Sequence, residues 1–189
     1  QPHVEVFSGM GWHVMLLPFL DQAPLYNQLN FSQPVTHADN ILLRQTTLNL
    51  FRCPSDSGPE RWSIEDESSP GTVLLNDVPT ANYVGVFGTQ EIHDCEALAI
   101  GQICHSDGAF AHNSKILMRD FIDGTSTTFM VGERRTNTNV PAGEPAHYST
   151  WMGVVVGGEE AFTRILGSTD HTPNEPGGHE TTFFQQTTL

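Results

Sequence analysis

Apolar residues recur every three or four positions between residues 12 and 30, which is the spacing of one face of an α-helix. Pro18 and Pro24 interrupt this stretch, and a proline inside a helix removes a backbone donor and clashes with the preceding turn. We therefore expect several short helices, with Pro24 at a first helical position. A further helical segment is predicted for residues 38–48. The apolar positions of the first stretch are Val14, Leu17, Leu20, Leu25 and Leu29.

The pattern changes in the rest of the chain, where short segments rich in β-branched and aromatic residues are bounded by Gly, Pro, Asn and Asp. These segments predict strands of an antiparallel sheet. Asp123 and Gly124 indicate a turn, and residues 65–70 a polar loop. Helices followed by strands indicate an α+β fold, with the N-terminal helices packed on one face of the sheet. The predicted strands are residues 72–75, 81–87, 115–118, 128–133 and 148–156.

The size and charge of the chain limit its class and its partners. Its 189 residues are enough for one hydrophobic core, and we expect a single domain over residues 1–189. There are 22 Asp and Glu against 8 Lys and Arg, which gives a formal net charge of −14. Because such a charge repels phosphate backbones and anionic membranes, the composition argues against nucleic acid as a partner.

Metal binding has one candidate segment in the sequence. Residues 167–179 form a long polar loop in which Asp170, Asn174 and Glu175 offer the oxygen ligands that calcium accepts. The spacing is not that of an EF-hand, but calcium is the one cofactor for which the sequence offers a set of ligands. None of the nine histidines falls at the helical spacing of a zinc site.

Catalytic motifs are not evident in the sequence. It contains neither a Gly-x-Ser-x-Gly elbow nor a phosphate-binding Gly-x-x-x-x-Gly-Lys loop. Asp120 and Asp123 could imitate a pair of catalytic carboxylates, but their Asp-Gly context favours a turn or a helix cap. We therefore do not expect an enzyme.

The sequence contains no run of eighteen consecutive apolar residues, so we do not expect any segment of it to span a bilayer. The sequence begins at Gln1 without an initiator methionine, and we expect a mature or processed product.

Three cysteines occur, and their spacing leaves two interpretations open. Cys95 and Cys104 bracket a short loop that a disulfide could close in an oxidising compartment, or both could be ordinary reduced thiols. Cys53 is expected to be a small buried apolar group.

Several short segments of the sequence are distinctive when they are taken together and in order, among them Phe-Arg-Cys-Pro-Ser-Asp at 51–56 and Ala-Asn-Tyr-Val-Gly-Val-Phe-Gly at 81–88. In content and order they resemble planctomycete proteins that combine a prepilin-type N-terminal cleavage and methylation signal with the domain of unknown function DUF1559, also labelled SBP_bac_10. This order over most of the chain is more specific than any single motif. The matching segments are residues 11–22, 25–28, 51–56, 81–88, 108–114 and 120–134.

Two features depart from that pattern. Thr127 stands where the family usually has Asn. The sequence also contains neither the apolar N-terminal pilin helix nor the final C-terminal strand of such proteins. We therefore expect this chain to be the core fragment of a longer protein. The missing final strand would leave a sheet edge that is either exposed or filled by something else.

The resemblance implies the extracytoplasmic head of a pilin-like or pseudopilin-like protein of the periplasm, cell surface or extracellular space. The full-length protein would be anchored in the membrane only through the N-terminal helix that this chain lacks. The role would be structural or secretion-related, with self-association or other pilin-like subunits as partners. The rival interpretation is a solute-binding protein with a pocket near Trp62, Tyr83 and Trp151, although these aromatics also suit a core. An enzyme of unknown type is the third class.

An outward-facing head would meet an oxidising environment, so the resemblance favours the disulfide between Cys95 and Cys104. Gly101 gives the intervening loop the freedom to return on itself. Cys53 would then remain unpaired.

Overall fold

The computed structural model describes residues 8–90, 92, 95, 102, 104–136 and 148–169. Its helices are short, as the two prolines predict. Pro18 lies in a 3₁₀ turn and Pro24 in the first turn of the second α-helix, where a missing backbone donor costs little. The α-helices are α1 (Trp12–Leu16), α2 (Ala23–Tyr26) and α3 (Ile41–Gln45), and the 3₁₀ turns are Leu17–Phe19, Ala38–Asn40, Asn49–Phe51 and Met118–Asp120.

The strands form two three-stranded sheets. In one sheet β2 lies between β1 and β5, and in the other β3 lies between β4 and β6. All strand pairs are antiparallel except β3 with β6, which is parallel. The α+β class is confirmed, although the strands are divided between two sheets. The strands are β1 (Arg61–Asp66), β2 (Ser69–Ala81), β3 (Tyr83–Gly88), β4 (Val131–Glu133), β5 (Ser149–Thr150) and β6 (Leu166–Ser168).

Individual strands differ from the sequence prediction. Residues 65–70 are mostly a hairpin, because β1 and β2 continue on both sides of a turn at Glu67 and Ser68. Residues 115–118 are not a strand, and their apolar side chains are exposed. The segment 148–156 contributes only the two residues of β5 before the chain bends.

The helices pack against the β1–β2 hairpin, as predicted. Val14, Leu17 and Leu43 are fully buried and share one apolar cluster with Trp62 and Val78 from the hairpin. Leu20 is not part of this core, because 38% of its surface is exposed. A second cluster lies beside β3 and β6 and contains Phe87, Ile92, Cys104, Ile165 and Leu166. Among the described residues, no helix has the length and apolar character needed to cross a membrane.

Candidate functional site

Asn82 lies between β2 and β3, where three separate parts of the chain meet. Its backbone N–H donates to the carbonyl of Phe51 over 2.8 Å, and its own carbonyl accepts from the N–H of Arg134 over 2.6 Å. The residue is fully buried. The main chain at Asn82 therefore joins the Phe51 turn to the end of β4.

The side chain of Asn82 joins the same segments a second time. Its Oδ1 accepts from the N–H of Cys53 over 2.9 Å, and its Nδ2 donates to the carbonyl of Arg134 over 3.0 Å. The same Nδ2 also donates to the carboxylate of Asp56. Both donor hydrogens and the carbonyl of this amide are thus engaged, as a buried amide requires. We refer to Asn82, Cys53, Asp56 and Arg134 as the Asn82 network.

Asp56 accepts several hydrogen bonds at once. Gly58 N–H donates to Oδ1 over 2.9 Å, and Thr136 donates to Oδ2 through its N–H, over 3.1 Å, and through its hydroxyl. Burial alone would raise the pKa of Asp56, but the hydrogen bonds from Thr136, Gly58 and Asn82 outweigh it and the pKa lies below its ordinary value. The carboxylate is therefore ionised and holds the loop in place.

His13 connects α1 to the same strand. The ring is fully buried, and Nε2 lies 2.7 Å from the carbonyl of Tyr83, which fixes the proton on Nε2. The ring stacks on Trp12 at 3.7 Å between centroids and meets Phe51 edge-on at 4.8 Å. Burial lowers the pKa of His13 to about 3, although the bond to Tyr83 opposes this. His13 is therefore a neutral packing residue at ordinary pH.

Arg134 extends the network to the other strands. Its guanidinium is buried and donates to the hydroxyl of Ser149 over 3.2 Å, to the carbonyl of Leu166 over 3.0 Å and to the carbonyl of Thr163. Burial and the nearby Arg164 lower the pKa of Arg134 to about 10, so it stays charged. One side chain thus links the end of β4 to β5 and β6.

The predicted disulfide is confirmed. Cys95 and Cys104 are bonded, with 5.3 Å between their Cα atoms. Cys53 is a free, buried thiol whose sulfur lies 3.0 Å from the hydroxyl of Ser55. The bridge closes the loop beside the second apolar cluster, since Cys104 belongs to that cluster and Cys95 packs against it.

The predicted calcium ligands Asp170, Asn174 and Glu175 lie outside the described residues. Within the ranges that the structure describes, no group of three or more His, Cys, Asp or Glu side chains is placed to hold a metal ion. Asp120 is a helix-capping residue, because its carboxylate accepts the N–H of Leu117 over 2.8 Å at the start of a 3₁₀ turn. Asp123 lies in the predicted turn before Gly124.

The aromatics considered as a pocket lining are largely core residues. Trp151 is fully buried and Trp62 is 7% exposed, and both belong to the helix–hairpin cluster. Tyr83 is half-buried, and its carbonyl accepts the bond from His13. Any pocket at these positions would have to open within the main core.

Sequence reasoning noted the segments that form the Asn82 network but did not assign roles to Asn82, Asp56 or Arg134. One signal was present, because Asn82 interrupts a run of apolar residues that continues into β3. A polar residue in such a run is buried, and a buried amide needs partners. The identity of those partners depends on contacts between distant segments.

Comparison with known proteins identifies a family. No curated protein and no solved structure matches the chain. A family model described as "Protein of unknown function (DUF1559)", SBP_bac_10, matches residues 2–188. The segments joined by the Asn82 network are among those that resemble this family in sequence. The chain therefore belongs to the DUF1559 family.

Proposed function

We propose that this chain is the outward-facing structural head of a pilin-like envelope protein, which acts by associating with other subunits. The observation that carries the proposal is the Asn82 network. Asn82 and His13, which lie in two of the matching segments, are fully buried, and their side chains bond to the main chain of other matching segments. These residues stabilise an architecture, which is what a structural subunit requires.

The disulfide supports an extracytoplasmic location. Disulfides persist in oxidising compartments and are rare in the cytosol. A reducing compartment would keep Cys95 and Cys104 as free thiols, so the disulfide between them favours an oxidising compartment. An acidic chain with a net charge of −14 is also well suited to remain soluble outside the cell.

Solute binding is the alternative, and the burial of Trp62 and Trp151 in the main core favours the structural role over it. A broad screen of sugars and nutrients by thermal unfolding separates the two. A ligand that binds the folded state raises the melting temperature, so a reproducible shift would favour the solute binder.

The location is tested on the full-length protein in its own cells. Thiols are trapped with N-ethylmaleimide in intact cells, and peptides are analysed by mass spectrometry without reduction. We expect Cys95 and Cys104 in one linked peptide, and protease added to intact cells should digest the head. Free thiols at all three cysteines together with protection from external protease would contradict the proposal.

A further inference from the structure

The chain between residues 116 and 131 exposes an unusual number of large apolar side chains. Ile122 is 92% exposed, Phe129 78% and Met118 68%, although such side chains are normally covered. Clusters of this kind on a folded protein mark interaction sites. The exposed residues, which we call the 116–131 surface, are Ile116, Leu117, Met118, Ile122, Phe129, Met130 and Val131.

The outer edge of β4 lies within this surface. Met130 and Arg134 flank β4 on either side. Met130 accepts from Val86 and Arg134 donates to Asn82, so the even-numbered residues from 130 to 134 direct their backbone groups toward β3. In an antiparallel pair the intervening residues direct their N–H and C=O groups away from the partner strand. The N–H and C=O groups of Val131 and Glu133 therefore face away from β3, and both side chains are exposed. Among the strands that the structure describes, none pairs with this edge, so it can accept another strand.

The charge around this surface favours contact with another copy of the chain. Apart from the buried Arg134, this stretch carries three cationic side chains and three anionic ones, which are Lys115, Arg119 and Arg135, and Asp120, Asp123 and Glu133. The local charge is therefore balanced, whereas the whole chain carries −14. Two copies would repel each other across most of their surfaces but not here. In a two-fold contact each copy presents this same balanced set of charges to the other.

We propose that the 116–131 surface binds the same surface of a second copy, with the two β4 strands pairing antiparallel about Val131. This register places the outward-facing groups of one strand opposite those of the other and joins the two β3-centred sheets into one. In this register Phe129 of each copy lies opposite Glu133 of the other, next to the new strand pair. The inference rests on the proposed function, because it names the head surface through which subunits associate.

The test measures self-association of the 189-residue chain by sedimentation equilibrium over micromolar to millimolar concentrations. Phe129→Asp places a charge next to the pairing edge of β4, and Ile122→Asp places one at the most exposed position of the surface. Phe19→Asp is the matched control, since Phe19 is 84% exposed on the 3₁₀ turn after α1. Circular dichroism checks that each variant is folded. All three positions are exposed, so folding should be retained.

We expect the wild type to dimerise and each of the two surface variants to weaken dimerisation at least about tenfold, with Phe19→Asp unchanged. A wild-type dimer that Phe129→Asp and Ile122→Asp leave intact, or that Phe19→Asp disrupts equally, would overturn the surface but not the associating role. A wild type that remains monomeric at all concentrations would overturn this contact, and the proposed location would still stand on its thiol and protease tests.

Discussion

Residues 120–134 contribute to two regions, the buried Asn82 network and the exposed 116–131 surface. Arg134 at its end is buried in the Asn82 network, where its main chain and side chain bind four other parts of the molecule. Ile122 and Phe129, in the same segment, are almost fully exposed. One segment can therefore contribute both to the interior of the fold and to the surface that we propose for association. The first role should be visible in folding stability and the second only in association.

The largest expected effect is that of breaking the network at its centre. Asn82→Ala removes the partners of Cys53 N–H, Arg134 C=O and Asp56 inside the protein. Each unsatisfied buried group costs about 1–3 kcal/mol, so we expect a loss of about 3–5 kcal/mol in the free energy of unfolding. Urea denaturation measures it. Asn76→Ala, at an exposed position, is the control and should change stability by less than about 0.5 kcal/mol. Equal effects of the two variants would show that the network does not hold the head together.

The disulfide gives the next effect. Replacing Cys95 and Cys104 by serine frees a loop whose closure restricts the unfolded chain, and we expect a loss of about 2–3 kcal/mol. The measurement is denaturation with and without reductant. Reductant should destabilise the wild type by the same amount and leave the double variant unchanged. An effect of reductant on the double variant would point to Cys53 instead.

A smaller effect depends on pH. Folding lowers the pKa of His13 from about 6.5 to about 3, so the unfolded state binds the proton more readily. Stability from this group is fully present above about pH 6.5 and is lost as the pH falls toward 3, by about 2 kcal/mol between pH 7 and pH 5. Asp56 does not interfere in this range, because its pKa lies below the ordinary value of 3.8.

The variant that isolates this dependence is His13→Gln, whose amide can still donate to Tyr83 but does not titrate. Its melting temperature should fall less than that of the wild type between pH 7 and pH 5, whatever its stability at pH 7. His105→Gln, at an exposed histidine, is the control and should keep the wild-type slope. If His13→Gln retained that slope as well, another group would be responsible for the acid sensitivity.

The smallest expected effect is that of removing the exposed ring of Phe129, and the buried ring of Phe87 is the comparison. Phe129→Ala removes an exposed ring and should change the unfolding free energy of the monomer by less than about 0.5 kcal/mol. Phe87→Ala removes a ring that is 1% exposed and should cost about 3–5 kcal/mol. Chemical denaturation at low protein concentration compares them. A large loss for Phe129→Ala would mean that its ring has a folding role, and would weaken the distinction between the two regions.

Local pattern was sufficient to predict some parts of this fold. The proline-broken helices follow from residues within one or two turns of each other, and β3 follows from an apolar run that is buried on both faces. β1 was missed because Glu65 and Asp66 at its end resemble a loop, while the alternation of buried Trp62 and Ile64 is short.

Other parts depend on distant contacts that local pattern does not contain. Residues 115–118 have an apolar composition typical of a strand, but within the described residues no strand pairs with them, and their apolar side chains are exposed. The partners of Asn82 come from residues far before and after it in sequence. The disulfide could be predicted only when the resemblance supplied an oxidising compartment.

The central position of β3 affects the order in which this chain can fold. Gly85 pairs with Val131 on one side and with Leu166 on the other, so both strands that pair with β3 lie far behind it in the sequence and are synthesised later. The β1–β2 hairpin, in contrast, joins adjacent residues and has a small loop-closure cost. We therefore expect the hairpin to form early, while the apolar β3 lacks its first partner until β4 ends at residue 133 and its second until β6 ends at residue 168. During that interval the chain is most exposed to aggregation, and a chaperone that holds extended apolar segments would act on β3.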